Sequence, residues 1–176
     1  MTFDHYHIRE VCIDDLQQYF NLIKNNREWL EDFFAGTVAI TQTIEETRIH
    51  LQDVIEKAKK KNYFPFVIID SFANALISSI QIKNLDWNIP KGELGYYIDK
   101  KYEGKGIVTK AVSLIIDFGF NELKLNKIYL RTHEENIGSR KVAEKNNFQL
   151  EGIIRNDYKT TSGNLVDLMY YGLIRN

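Results

Sequence analysis

Residues 96–109 read Tyr96-Tyr97-Ile98-Asp99-Lys100-Lys101-Tyr102-Glu103-Gly104-Lys105-Gly106-Ile107-Val108-Thr109. A β-like run enters a short loop with two glycines one residue apart, and an amphipathic helical pattern follows at once. Glycine lets the backbone turn sharply and come close to a ligand. The first N–H groups of a helix have no partner within it, and they lie at the positive end of its dipole. Such an arrangement suits a phosphate or diphosphate. Ile107, Val108, Ala111, Val112, Ile115, Ile116, Gly119 and Phe120 mark one face of the helix, which should run about four turns.

Working toward the N-terminus, Glu93–Ile98 reads as the strand that feeds the loop. Phe66–Ile69 and Leu76–Ile82 precede it as a hairpin about the turn at 70–74. Residues 5–11 suggest an opening strand, and Leu16, Tyr19, Phe20 and Ile23 recur at helical spacing after Asp14. Thr43-Ile44-Glu45-Glu46 has the form of a capping box, opening a helix with Leu51, Val54, Ile55 and Ala58 on one face. Its last turn holds Lys57, Lys59, Lys60 and Lys61, which read as a solvated helix end. Toward the C-terminus come a strand at Ile128–Thr132, a short helix at Asn136–Asn146, and two strands, Phe148–Tyr158 and Leu165–Leu173. Thr161-Ser162-Gly163-Asn164 supplies the turn between those two. The helix between Glu93–Ile98 and Ile128–Thr132 makes a crossover, so those strands should be parallel neighbours in an otherwise antiparallel sheet.

The chain has 176 residues, which suits one domain over 1–176. Twenty-three basic and 24 acidic residues leave a net charge of -1, so no global positive field draws nucleic acid or an anionic membrane. Cys12 is the only cysteine, which excludes an intrachain disulfide, makes a thiolate metal cluster implausible, and suggests a small buried apolar group. No apolar run approaches the ~20 residues of a membrane span, and the first residues lack a signal pattern. A cytoplasmic protein without a metal, a monomer or homodimer, is the expectation.

Three glycine-rich readings compete for the loop. A P-loop fails because Asp99 stands where its first glycine belongs and Gly106 where its lysine-serine pair would continue. A dinucleotide fingerprint would belong to a first βαβ unit and end in glycine or alanine, whereas this run ends in Thr109 late in the chain. The third reading is a coenzyme A diphosphate loop. Lys101-Tyr102-Glu103-Gly104-Lys105-Gly106 resembles the Arg/Gln-x-x-Gly-x-Gly/Ala signature of the GNAT acetyltransferase superfamily. The block from Asn136 through Ser139 to Lys145-Asn146-Asn147-Phe148 is similar to a run in its RimJ/RimL branch, which acetylates ribosomal-protein N-termini. Glu151-Gly152 and Arg27-Glu28-Trp29-Leu30 also resemble that branch, so the likeness spans essentially the whole chain. Two departures stand out: Lys101 lacks the fork of an arginine, and Asn147 replaces a glycine where asparagine tolerates a left-handed backbone.

The resemblance implies an α/β (α+β) GNAT fold, with a mixed, largely antiparallel twisted sheet of six to seven strands and about four helices. It implies acetyl-CoA as donor and direct attack by an amine in a ternary complex. Main-chain groups of Tyr97 and Ile98 would line the pantetheine arm, one polarising the thioester carbonyl. Lys101 and the N–H groups of Gly104, Lys105, Gly106, Ile107, Val108 and Thr109 would hold the diphosphate. Asn136 would meet the pantetheine amides or serve as a plain N-cap. Ser139 would hydrogen-bond the leaving sulfur or be an ordinary helix residue. Asp157 and Glu93 compete as general base, with surface carboxylates as the bland alternative, and His133 is more simply a strand-end packing residue. Trp29, Phe33, Phe34 and Trp87 would wall an acceptor pocket, with Glu28, Glu31 and Asp32 attracting a cationic amine, or all could form a packing corner. The acceptor would be a ribosomal-type protein N-terminus. The alternatives are a small amine (a polyamine or an amine-bearing antibiotic) and a binding module without turnover.

Overall fold

A computed structural model describes residues 1–175. Its elements are β1 (Thr2–Phe3), β2 (Tyr6–Glu10), α1 (Leu16–Asn25), α2 (Arg27–Phe33), α3 (Ala35–Ala39), α4 (Ile44–Lys59), β3 (Phe64–Asp70), β4 (Ala75–Asp86) and β5 (Lys91–Ile98). They continue with α5 (Ile107–Asn121), β6 (Lys127–His133), α6 (Ile137–Lys145), β7 (Gln149–Lys159) and β8 (Leu165–Ile174). The strands form one sheet in the order β1-β2-β3-β4-β5-β6-β8-β7. Among the described residues only β5 and β6 run parallel, as the crossover through α5 requires.

Helices cover both faces, which is why β3 and β4 read as nearly unbroken apolar runs. Ala111, Val112 and Ile115 of α5 are fully buried against Ile80, Ile82 and Ile128. On the other face Ile23 of α1 and Leu51 of α4 pack with Val67 of β3. The capping box forms as expected, with Glu46 N–H donating to Thr43 Oγ1 at 3.1 Å and Thr43 N–H to Glu46 Oε2 at 3.0 Å. Asn147 has φ 63° and Gly163, in the β7–β8 turn, φ 89°.

The sheet has eight strands rather than six or seven, because the first residues add the short β1 to β2. The front helical region is broken into three pieces rather than running on. Asn26 leaves helical geometry (φ -116°, ψ 11°), and its Nδ2 donates back to Leu22 O at 2.8 Å. Phe34, at φ -135°, makes the second break.

The feature that matters for function is the short seam between β5 and β6. They pair only from Lys91–Glu93 to Lys127–Tyr129 and then separate. The split opens toward the glycine loop and α6.

Candidate active site

Peptide groups along the open half of β5 alternate in direction. Asp99 N–H donates to Ile77 O at 2.8 Å, and Ser78 Oγ donates to Tyr97 O at 2.7 Å. Tyr97 therefore faces β4, and Tyr96 and Ile98 turn their peptide groups to the split. Of the two residues expected to offer main-chain groups there, Ile98 does so and Tyr97 does not; Tyr96 takes its place.

Beyond β5 the chain is anchored by Asn26, which is buried. Its Oδ1 accepts from Lys100 N–H at 2.9 Å and from Trp29 Nε1–H at 3.2 Å. With Asn26→Ala, the Lys100 and Trp29 donors lose a buried acceptor. A loss of about 2 kcal/mol is expected in denaturant unfolding, and a change of only a few tenths would mean the anchor is unimportant. Gly104 and Gly106 follow at φ 73° and 75°, and an added Cβ at either would meet nothing within 4 Å. Gly106 is the N-cap of α5, whose first turn contains no acidic residue. The first bond closing that turn runs from Lys110 N–H to Gly106 O at 3.1 Å, so the N–H groups of residues 107–109 precede it.

These amides open onto a cleft of about 650 Å³, whose walls also include Trp29, Lys100, Asn136, Ser139, Lys141 and Lys145. A second cavity of about 220 Å³ reaches the split from the other side, with Asp32, Glu93, Arg131, His133 and Tyr158 among its walls. The two cavities share Phe33, Phe34, Tyr96, Asn136 and Ser139. At this junction Asn136 Oδ1 caps α6 by accepting from Ser139 N–H at 3.0 Å. The Tyr96 hydroxyl lies 3.0 Å from Ser139 Oγ and 3.2 Å from Ser139 O. Burial pushes the Tyr96 phenol upward, so it stays protonated.

The β7–β8 hairpin roofs the smaller cavity. Tyr158 Oη accepts from Ala35 N–H at 2.6 Å, and Thr161 Oγ1 donates to Glu31 O at 2.8 Å. Below lies a charged network. Glu93, 4% exposed, accepts from Arg131 Nη2 at 3.1 Å and Asn84 Nδ2 at 2.8 Å, with Lys83 Nζ at 3.5 Å. Asp157 accepts from the Tyr170 hydroxyl at 2.6 Å, and Arg131 Nη1 lies 3.4 Å away. Burial opposes the charge on Arg131, but Glu93 and the Tyr170 hydroxyl together outweigh it, keeping the guanidinium cationic.

Residues 6–149 match the family model described as Acetyltransferase (GNAT) domain. The chain belongs to the GNAT acetyltransferase family. Its curated relatives include the Probable N-acetyltransferase YjcK of Bacillus subtilis (strain 168), 32% identical over 158 residues, 87% of this chain and 85% of that protein. They also include the Spermidine N(1)-acetyltransferase of Escherichia coli (strain K12), 27% identical over 156 residues, 86% and 76% of the two chains. Among solved structures, the ribosomal-protein-S5-alanine acetyltransferase of Vibrio fischeri superimposes with a TM-score of 0.91 at 26% identity, covering 100% of this chain and 96% of that one.

This N-acetyltransferase uses acetyl-CoA, as its family does. The larger cleft fits the group. Its glycine turn leaves open the space a Cβ would fill, helix amides precede the first intrahelical bond, and three lysines stand on its walls.

Several expected site residues lie elsewhere. Lys101 and the Lys105 side chain line neither cavity: Lys101 is exposed, and Lys105 Nζ sits 4.9 Å above the Tyr102 ring. Trp87 is exposed in the β4–β5 connection, at the end where β5 and β6 are still paired, and lines neither cavity. Glu28 is also outside both, whereas Asp32 and Phe33 line the smaller one. Glu93 lines that cavity, and Asp157 reaches it only through Arg131. His133 lines it with its ring 6.4 Å from Phe33. Cys12 is exposed rather than buried, its Sγ 3.4 Å from Asp15 Oδ2, and it lies outside both cavities. Sequence reasoning missed Lys100, Lys141 and Lys145. The spacing of Lys141 and Lys145 places them on one helix face and could have found them. Among the described residues no helix is long and apolar enough to cross a membrane.

Proposed function

We propose that this acetyltransferase modifies the α-amine of a protein N-terminus of ribosomal type. The observation that carries the reading is the meeting of two cavities at Tyr96, Asn136 and Ser139, one walled by the glycine turn and the start of α5 and the other by Lys83, Glu93 and Arg131. The main-chain amides of residues 104–109 hold the diphosphate, and Lys100, Lys141 and Lys145 add positive charge. The peptide groups of Tyr96 and Ile98 align the pantetheine arm along β5, with one donor set toward the thioester oxygen. Bound acetyl-CoA supplies an acetyl thioester at the junction.

The amine enters from the smaller cavity. An α-amine has a pKa near 8, so a useful share is uncharged at neutral pH and little basic help is required. Glu93 and Asp157 are both engaged by Arg131, which suits them to shaping the field at the amine rather than standing free as a base. Ser139 hydrogen-bonds the departing thiolate. A serine hydroxyl is a far weaker acid than a thiol of pKa about 8.5, so it stabilises the sulfur without surrendering its proton.

The commitment of both carboxylates to cations also favours a peptide over a polyamine. A polycation would find Glu93 already held by Arg131 and Lys83, leaving Asp32 as the carboxylate on that cavity wall with no ion pair among the described residues. The spermidine-acetylating relative is the specific support for the small-amine reading. Thiol release with acetyl-CoA, measured across N-terminal peptides and small amines including spermidine, decides between them. Peptide-only turnover supports the proposal and spermidine-only turnover overturns it. Ser139→Ala should lower kcat about tenfold or more while leaving the Kd for acetyl-CoA nearly unchanged. Equal rates would remove Ser139 from the chemistry.

A further inference from the structure

Tyr96 stands on β5 and Ser139 in the first turn of α6, on opposite walls of the split, and their side chains meet across it. The backbone of Ser139 is fixed from one side by Asn136, which accepts its N–H at 3.0 Å. From the other side the Tyr96 hydroxyl approaches both Ser139 Oγ and Ser139 O. Each hydroxyl carries a single hydrogen. The Ser139 carbonyl can only accept, so the Tyr96 hydrogen points at Ser139 O and, shared in a three-centre bond, at the nearer Ser139 Oγ, and the serine hydrogen is then directed away from Tyr96 and toward the junction of the two cavities. We infer that Tyr96 is the positioning residue for Ser139, donating to Ser139 Oγ so that the serine hydroxyl is aimed and polarised toward the departing sulfur.

This rests on the proposed role of Ser139, and it adds a residue that neither the glycine loop nor the α6 block points to. The phenol donates to an oxygen that is itself donating, and such chains strengthen one another in a water-poor site. Tyr96 lines both cavities, so its ring also forms part of the wall between donor and acceptor. Tyr96→Phe keeps that ring and removes only the hydroxyl.

The test is a double-mutant cycle with Tyr96→Phe, Ser139→Ala and the double variant. It is read as kcat with the best peptide acceptor, Kd for acetyl-CoA by calorimetry, and Tm. Tyr96→Phe is expected to lower kcat about tenfold, the size of one lost hydrogen bond at the transition state. Its Kd should stay within about twofold of the parent. The double variant should be no slower than Ser139→Ala alone, because the phenol acts through the serine. A structural tyrosine would instead weaken acetyl-CoA binding, lower Tm and multiply its loss with that of Ser139→Ala, and this pattern overturns the inference. A silent Tyr96→Phe beside a slow Ser139→Ala overturns it while leaving the proposed function standing. A silent Ser139→Ala removes both roles at once.

Discussion

Gly106→Glu is expected to weaken acetyl-CoA binding by at least about a hundredfold, or about 2.7 kcal/mol, while leaving the fold in place. Two effects add. Gly106 has φ 75°, where a side chain costs about 1–2 kcal/mol. The new carboxylate would also stand at the N-cap of α5, repelling the diphosphate and competing for the amides meant for it. Nothing within 4 Å obstructs the first added carbon, so the protein should still fold. Gly106→Ala separates the effects, since it carries the backbone strain without the charge. Its Tm should fall about as far as that of Gly106→Glu, and its affinity much less. Calorimetry that found Gly106→Glu binding as tightly as the parent would remove the loop from the donor site.

Glu93→Gln should produce the largest loss of stability among single isosteric changes near the site. The carboxylate is 4% exposed and balances Arg131 and Lys83. Removing one partner of a fully buried pair costs about 3–5 kcal/mol. Both cations here remain roughly a third accessible, so water recovers part of that and about 2 kcal/mol is expected. For a chain of this length that is a Tm drop of about 4–8 °C. Turnover should fall too, mainly through a higher KM for the acceptor, because the unbalanced guanidinium would repel an incoming ammonium. An unchanged Tm would show that Glu93 does not anchor the cluster.

Much of this molecule was legible in its residues. Apolar spacing outlined α5 and α6, and the crossover argument gave the parallel partnership of β5 and β6. Those features depend on local periodicity and chain connectivity, which a linear pattern records. What stayed hidden depends on side chains meeting from distant segments. Nothing near Tyr96 announces that its hydroxyl reaches Ser139, 43 residues on. Nothing near Arg131 marks it as the bridge between Glu93 and Asp157. Tyr97 was misjudged for a subtler reason. Two adjacent strand residues point their peptide groups oppositely, and the phase is set by the pairing of Asp99 with Ile77, which the sequence does not display. Trp87 and Lys101 lie close along the chain to the site, but the backbone carries them away from it.

The seam of three residue pairs between β5 and β6 has a mechanical meaning. Five strands lie on one side of it and three on the other, so main-chain bonding between the halves is thin. Cohesion there falls to packing by α5 and α6 and to bridges such as Asn146 Nδ2 with Thr109 O at 3.2 Å. An extended molecule lodged in the split would complete a ladder that the polypeptide leaves unfinished, bracing both halves against each other like a rivet.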